Sequence, residues 1–361
     1  MRTAESVTEG HVDKMCDRIS DAVLDAHLAQ DPMARVGCEV MCTSSGTCIV
    51  AGEITSKAEV DIQSIVYRIW PSCVHVIVDL KQQSPALSAT VDVGANDSGI
   101  VIGYATDETP DYMPLPIAMA HHLTCNLAGL RKSGLLPYLR PDGKAQVTVN
   151  GKDVTVIVIS TQHDEMVSIN RLRDDLRLHL LSAVPRLAPD VRIFINAQAG
   201  RFEESADTGL TGRKIIMDAY GPEVPDGGGA FSGKDASKLD RSGAYMLRHI
   251  ARNVVSSGRA HKCKIEAAYC IGVREPVALD IRSDGDRREI EAFVRTFPLN
   301  TPDIIEYLNL RRPIYEQTAC YGHFGSGLKG PWERIAGINN QSNLLQSTVK
   351  YSSTTATVLS R

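Results

Sequence analysis

The sequence lacks any long hydrophobic run. Nowhere do about eighteen or more apolar residues stand together, and the opening MRTAESVTEGHVDK has no apolar leader core. The expectation is a cytoplasmic chain with no membrane anchor. Charge of one sign is also lacking: 39 Lys and Arg face 43 Asp and Glu, a formal net charge of -4, and the cations are scattered. That balance gives no sequence-independent attraction to nucleic acid or to an anionic membrane, so an anionic substrate would need a local basic site. The nine cysteines are an odd number with no CxxC pair, which excludes a disulfide framework or a zinc ribbon. Cys38 and Cys42 read as buried thiols rather than metal ligands, because no His or Cys pair accompanies them.

What is present is an ordinary globular composition. With 361 residues, 43% hydrophobic and 23% charged, the chain can bury a large core in two or three domains. Met15, Ile19, Ala22, Val23 and Ala26 recur at helical spacing within His11–Gln30, with acids and bases on the remaining positions. Two β-rich runs, Arg35–Cys42 and Thr47–Ile54, flank Ser-Ser-Gly and read as a hairpin. A second hairpin joins Ala145–Val149 to Asp153–Ile159 around Asn150-Gly151, a dipeptide suited to a type I′ turn. Further helices are predicted over Leu115–Ser133, Ile169–Ala183, Ser237–Val255 and Arg287–Thr296. Strand-rich stretches alternating with long helices indicate an α+β class or mixed α/β. Glycine and proline punctuation divides the chain into residues 1–90, 91–203 and 204–334, followed by a polar tail over 335–361.

Three stretches carry more charge and glycine than a loop requires: ESVTEGHVDK at Glu5–Lys14, GLTGRK at Gly209–Lys214 and GGGAFSGKDASKLDR at Gly227–Arg241. Cations beside glycines suit a polyphosphate, because glycine admits the backbone and Lys or Arg neutralises the oxygens. Interleaved acids suit Mg²⁺, a hard ion that takes one or two carboxylates. Gly228–Lys234 has the spacing GxxxxGK, but Asp235 stands where a P-loop needs a hydroxyl, so a P-loop is excluded. Lys238, Asp240 and Arg241 read equally well as a solvated helix start with surface ion pairs.

At these residues the sequence resembles the methionine adenosyltransferase (S-adenosylmethionine synthetase) family. AESVTEGHVDK stands for the family's SESVSEGHPDK, and GEITS at Gly52, QQSP at Gln82, GYATDET at Gly103, LRPDGKAQVT at Leu139, STQHDE at Ser160, GLTGRKII at Gly209 and YGHFG at Tyr321 follow in family order. The resemblance implies an α+β fold of three similar β-α-β domains about a pseudo-threefold axis. It implies a homodimer with shared active sites, of the kind that in this family often pairs into a homotetramer. The implied reaction is attack of a thioether sulfur on C5′ of ATP, then hydrolysis of the triphosphate to pyrophosphate and phosphate, with Mg²⁺ and K⁺ as cofactors.

By motif, the resemblance places His11 beside C5′ and the departing oxygen, and Asp13 and Asp240 on Mg²⁺. Lys144, Arg213, Lys214, Lys234 and Lys238 would cradle the phosphates, with Asp142 and Asp207 completing the ATP site. Glu39 would hold K⁺; Glu53, Gln83, Asp97 and Lys238 would bind methionine, Phe231 would stack on adenine, and Ile271 would line the thioether pocket. Departures cluster near these positions. The family's GAGDQG is GANDSG, so Asn96 and Ser98 flank Asp97; the gating loop is short; Glu203 and Glu204 replace glycines before GLTGRK; and Gly37 replaces alanine. Asn96 and Ser98 are expected to alter amino-acid recognition, Gly37 to widen the thioether pocket, the short loop to speed entry and release or weaken closure, and the two acids to weaken triphosphate binding. Transfer to another thioether, or a catalytically weak nucleotide-binding paralogue, stands as the alternative to methionine adenosylation.

Overall fold

The computed structural model describes residues 1–82, 95–197, 207–325 and 330–335. Its first long helix, α1 (Val12–Gln30), follows strand β1 (Arg2–Val7). The His11 side chain caps it by accepting the Asp13 amide, and Asp13 in the first turn complements the helix dipole. It stops at Asp31, one residue before Pro32, which cannot continue a helix. Strands β2 (Arg35–Cys42) and β3 (Thr47–Thr55) form the expected hairpin, β4 (His75–Lys81) adds in parallel, and β9 (Gly209–Leu210) closes the other edge. A second sheet has the order β1-β6-β7-β8, with β6 at Leu139–Asn150, β7 at Asp153–His163 and β8 at Leu187–Ile195. The third has the order β11-β10-β5, from Gly99–Thr106 (β5), Lys262–Tyr269 (β10) and Ala278–Ser283 (β11). The result is a mixed α+β protein whose sheets are stitched from distant stretches: β1 joins a sheet with β6, and β5 joins one with β10.

Each sheet is covered by one long helix. The first, α1, packs on β2, while α3 (Leu115–Lys132) packs on β1 and β6 and α6 (Leu239–Ser256) packs on β5 and β10. Cys16, Ile19, Val23 and Leu24 of α1 meet Val36, Cys38, Val40, Cys48 and Val50 in one apolar core, which continues to Tyr245, Leu247 and Ile250 of α6. A separate core of Leu123, Leu127, Val147, Ile157, Leu172 and Leu176 lies under α3 and α4 (Ile169–His179). Alternation in β2 turns Gly37, Glu39 and Met41 away from α1. Cross-strand register aligns Met41 with Ile49 and Ile77, and Glu39 with Ala51 and Asp79, on that open face.

The predicted helices are present, and helices α2 (Ile62–Ile69), α5 (Ile215–Asp218) and α8 (Thr301–Leu308) were not anticipated, whereas α7 (Arg287–Val294) was. Two of these three, α2 and α8, carry local signals that periodicity over so few residues obscures. Asp61 accepts the Ser64 amide and Asn300 accepts the Asp303 amide, each capping its helix. The second hairpin needs a correction. Asn150 pairs with Asp153 inside the ladder, so the loop is Gly151-Lys152, and only Gly151 has positive φ (60°). Positive φ at the first central residue alone is the type II′ pattern, not I′. The charged positions of α1 do not form a simple solvent face either: Lys14, Asp17 and Asp21 are at most 1% exposed. Gln83, Glu203, Glu204, the short loop after Pro85 and the tail from residue 336 lie outside the described residues.

Candidate active site

The sharpest concentration of charge surrounds the N-terminus of α1. Asp13 is 2% exposed and accepts the Leu210 amide at 3.0 Å; its other oxygen pairs with Lys214, and Arg213 stands 3.7 Å away. Burial alone would raise the Asp13 carboxyl, but the Lys214 and Leu210 hydrogen bonds hold it below its ordinary value. Lys144, opposite Val7 in the ladder, pairs with Glu5. A bulge in β6 between Leu139 and Gly143 carries Asp142 into the same field, and Thr8 ties the bulge down by donating to Pro141 (2.6 Å) and Gly143 (2.8 Å) carbonyls. Burial pushes Asp142 up to about 6 despite Lys214 nearby, and its Oδ1 has no hydrogen-bond partner among the described residues.

His11 belongs to this group. Its Nδ1 accepts the Asp13 amide at 3.2 Å, so the neutral ring carries its proton on Nε2. Burial lowers the imidazole to about 4, reinforced by Lys214 and opposed by Asp13. A folded value below the unfolded one makes the neutral form the folding-competent one. Its contribution to stability is whole above about pH 6.5 and is lost as pH falls toward about 4, by at most about 1.4 kcal/mol per pH unit. His11 ring resonances, assigned with a His11→Asn variant, should therefore stay flat in NMR spectra between about pH 8 and 5. A titration centred near the ordinary imidazole value would contradict this placement.

A second group lies further along α1, against β2. Lys234 meets Asp240 at 2.5 Å, and its backbone bridges Gly37. Gly233 has φ 79°, and a Cβ there would come within 2.0 Å of the Cys38 carbonyl oxygen, so the turn before Lys234 requires glycine. Lys238 is the N-cap residue of α6 and forms no ion pair among the described residues. Arg241 is not part of a solvated helix start: it is 0% exposed and bound in a fork to Asp21 at 2.6 and 2.9 Å. Sequence reading missed Asp17, Asp21 and this pairing. The available signal was the recurrence of Asp every four residues from Asp13 to Asp25, which a helix aligns on one face.

Glu39 and Glu53 are exposed on the open sheet face, Glu53 opposite Gly37. A Cβ at Gly37 would meet only the Glu53 carbonyl oxygen, at 3.8 Å, so nothing steric demands glycine there. Asp97 is exposed and accepts the Ser98 amide at 2.7 Å. Both departures beside it have structural partners: Asn96 accepts the Leu239 amide at 2.9 Å, supplying the side-chain cap that Lys238 does not, and Ser98 accepts the Ile271 amide at 2.9 Å. Ile271 is 52% exposed beside this turn. Asp207 is exposed next to Thr208, whose carbonyl accepts from Arg213 at 2.9 Å. Phe231 is buried edge-on against His323, Tyr245 and Phe324, and lines a cleft with Ile102, Gly229 and Asp240. Cys38 and Cys42 are buried free thiols, and among the described residues no three His, Cys, Asp or Glu converge to hold a metal. Among those residues, no helix is long and apolar enough to cross a membrane.

Comparison with known proteins bears on this arrangement. Family models described as S-adenosylmethionine synthetase match along nearly the whole chain: the N-terminal domain over residues 1–85, the central domain over 92–202 and the C-terminal domain over 203–334. The chain is 46% identical to the S-adenosylmethionine synthase of Desulforudis audaxviator, over 92% of this chain and 95% of that protein. It is 45% identical to the protein of the same name from Clostridium botulinum, covering 92% and 96%. Against that of Clostridium tetani the identity is 43%, covering 95% and 99%.

Proposed function

The chain belongs to the S-adenosylmethionine synthetase family, and from that premise we propose that it makes S-adenosylmethionine from ATP and methionine. The methionine sulfur attacks C5′ of ATP, the C5′–oxygen bond breaks, and the triphosphate leaves before its hydrolysis to pyrophosphate and phosphate. The observation that carries this reading is the gathering of His11, Lys144, Arg213 and Lys214 around Asp13 and Asp142. A thioether sulfur is a nucleophile without losing a proton, so no general base is required. The departing triphosphate is where charge grows, and cations already in place there stabilise it without reorganising. Neutral His11 presents Nε2–H as a donor to the departing oxygen, while Lys144, Arg213, Lys214, Lys234 and Lys238 hold the phosphates.

Mg²⁺ suits the hard carboxylate oxygens of Asp13 and Asp240, needs only one or two of them, and supplies neutralisation of phosphate charge. The unmet, buried Oδ1 of half-buried Asp142 lies in the same field as Asp13. Glu39, exposed on the open sheet face, would hold K⁺. Glu53 and Asp97 take the methionine ammonium, with Gln83, Lys238 and Ile271 completing that subsite, Phe231 under adenine and Asp207 at the ATP rim. Three similar domains about a pseudo-threefold axis are a reading supported by the one long helix on each sheet, although β1, β5 and β9 each cross from their own block of 1–90, 91–203 or 204–334 into a sheet of another. A homodimer with shared sites is supported by the Met41, Ile49, Ile77 row, which leaves apolar surface on the open face. Nine free thiols suit a reducing cytoplasm.

Because Asn96 and Ser98 are committed to backbone amides, their departure from the family pattern reads as scaffolding, which favours methionine over another thioether. Mass spectrometry of products from ATP, Mg²⁺, K⁺ and methionine, or a panel of larger thioethers, tests this. S-adenosylmethionine should be the best product; a larger sulfonium as the best product, or no adduct at all, would overturn the reading.

A further inference from the structure

Four aspartates, Asp13, Asp17, Asp21 and Asp25, recur every fourth residue of α1 and share one face. Successive positions are about 6 Å apart along the axis. Like charges at this spacing weaken an isolated helix, and burying them is costly unless each is paired and hydrogen-bonded. Here each carboxylate takes main-chain N–H groups from a remote segment. Asp13 accepts from Leu210 (3.0 Å), Asp17 from Gly212 (2.8 Å), Asp21 from Gly233 (2.8 Å) and Asp25 from Tyr315 and Glu316 (3.0 and 2.9 Å). Three also carry a cation: Lys214 on Asp13, Lys14 on Asp17 and Arg241 on Asp21.

The donors to the two middle aspartates fall at informative places. Gly212 and Gly233 are the positive-φ residues, both at 79°, of the two turns that lead into Lys214 and Lys234. Lys214 follows Gly212 by two residues, and Lys234 follows Gly233 directly. Lys234 is held from its other side as well, since Arg241, itself fixed by Asp21, donates to the Lys234 carbonyl at 3.1 Å. Of the outer two, Asp13 takes the Leu210 amide and Lys214 itself, whereas Asp25 anchors a segment that carries neither lysine.

We propose that Asp17 and Asp21 are positioning residues for the phosphate cradle: α1 serves as a ruler that sets the separation of the Lys214 and Lys234 turns. This rests on the reading of both lysines as phosphate ligands. Neither acid touches substrate; each acts through a glycine amide. What Asp17 supplies is then an acceptor oxygen rather than a negative charge, because Lys14 keeps a second partner in Asp218 at 2.5 Å.

The test compares triphosphate hydrolysis by the full-length wild type, Asp17→Asn, Asp17→Ala and Lys214→Ala, with folded fraction followed by circular dichroism. Asparagine keeps an oxygen for the Gly212 amide, and alanine removes it. Asp17→Ala should lose about 10²-fold in kcat/KM while still folded, mostly in KM, because misplacement on the order of 1 Å costs that much. Asp17→Asn should return to within a few-fold of wild type. Should the alanine variant not fold, Asp17→Ser, whose hydroxyl is too short to reach Gly212, takes its place. Wild-type kinetics in the folded alanine or serine variant, or an asparagine variant as impaired as alanine, would refute the proposal. Lys214→Ala separates the two failures: undiminished hydrolysis there sinks the phosphate reading itself, whereas its loss with Asp17→Ala intact sinks only the positioning role.

Discussion

Replacing Lys234 with alanine should lower kcat/KM for adenosyl transfer by about 10²–10³-fold while leaving the fold nearly intact. The reason lies in what each state loses. In the free protein Lys234 meets Asp240 at 2.5 Å, but the two side chains are 23% and 28% exposed, so water still reaches the abandoned carboxylate. A pair of that kind contributes about 1 kcal/mol or less to stability. On the proposed function, a fixed ammonium facing the leaving triphosphate acts where charge grows, and removing one such donor costs about 2.7–4 kcal/mol. Initial rates and the thermal midpoint, measured on the same preparation, separate the two. Full activity in Lys234→Ala would remove it from the phosphate site.

Asp21→Ala should strike stability first, besides loosening the Lys234 turn that it holds. Asp21 and Arg241 are both 0% exposed, and the aspartate accepts a fork from the guanidinium and the Gly233 amide together. Its removal leaves a fully buried cation facing a cavity, and breaking such a pair costs about 3–5 kcal/mol. The midpoint should fall by roughly 4–7 °C at fixed protein concentration. Coupling to Arg241→Met should recover part of the loss, since no unpaired charge then remains. A shift under about 1 °C in the single variant would mean that the pair is not buried as described.

Much of the fold was legible from local pattern. Apolar residues at helical spacing located α1, Ser-Ser-Gly located the first hairpin, and the long helices over Leu115–Lys132 and Leu239–Ser256 followed from periodicity. The second hairpin was found, but its turn type was not, because the ladder extends through Asn150 and moves the loop by one residue. Among the candidate site residues, His11, Asp13, Arg213 and Lys214 come together around the N-terminus of α1, and Lys234 with Asp240 forms a separate pair. Glycines beside cations were a usable signal, since they mark backbone that must approach something closely.

Helix and strand periods, the charged turns and the family pattern could all be read from the chain unaided, because each is written within a short stretch of residues. Which charges are buried, and what they hold, emerged only once distant segments were folded together. Asp17 requires the Gly212 amide and Lys14, and Asp21 requires the Gly233 amide and Arg241, partners that lie up to 220 residues away. A helical period reports one face as polar but not whether water or a distant backbone meets it. The same limit hid the structural partners of Asn96 and Ser98, whose side chains accept the amides of Leu239 and Ile271 from across the fold. Burial of a polar group is permitted only where its hydrogen bonds are completed, and those completions are long-range contacts that no local pattern contains.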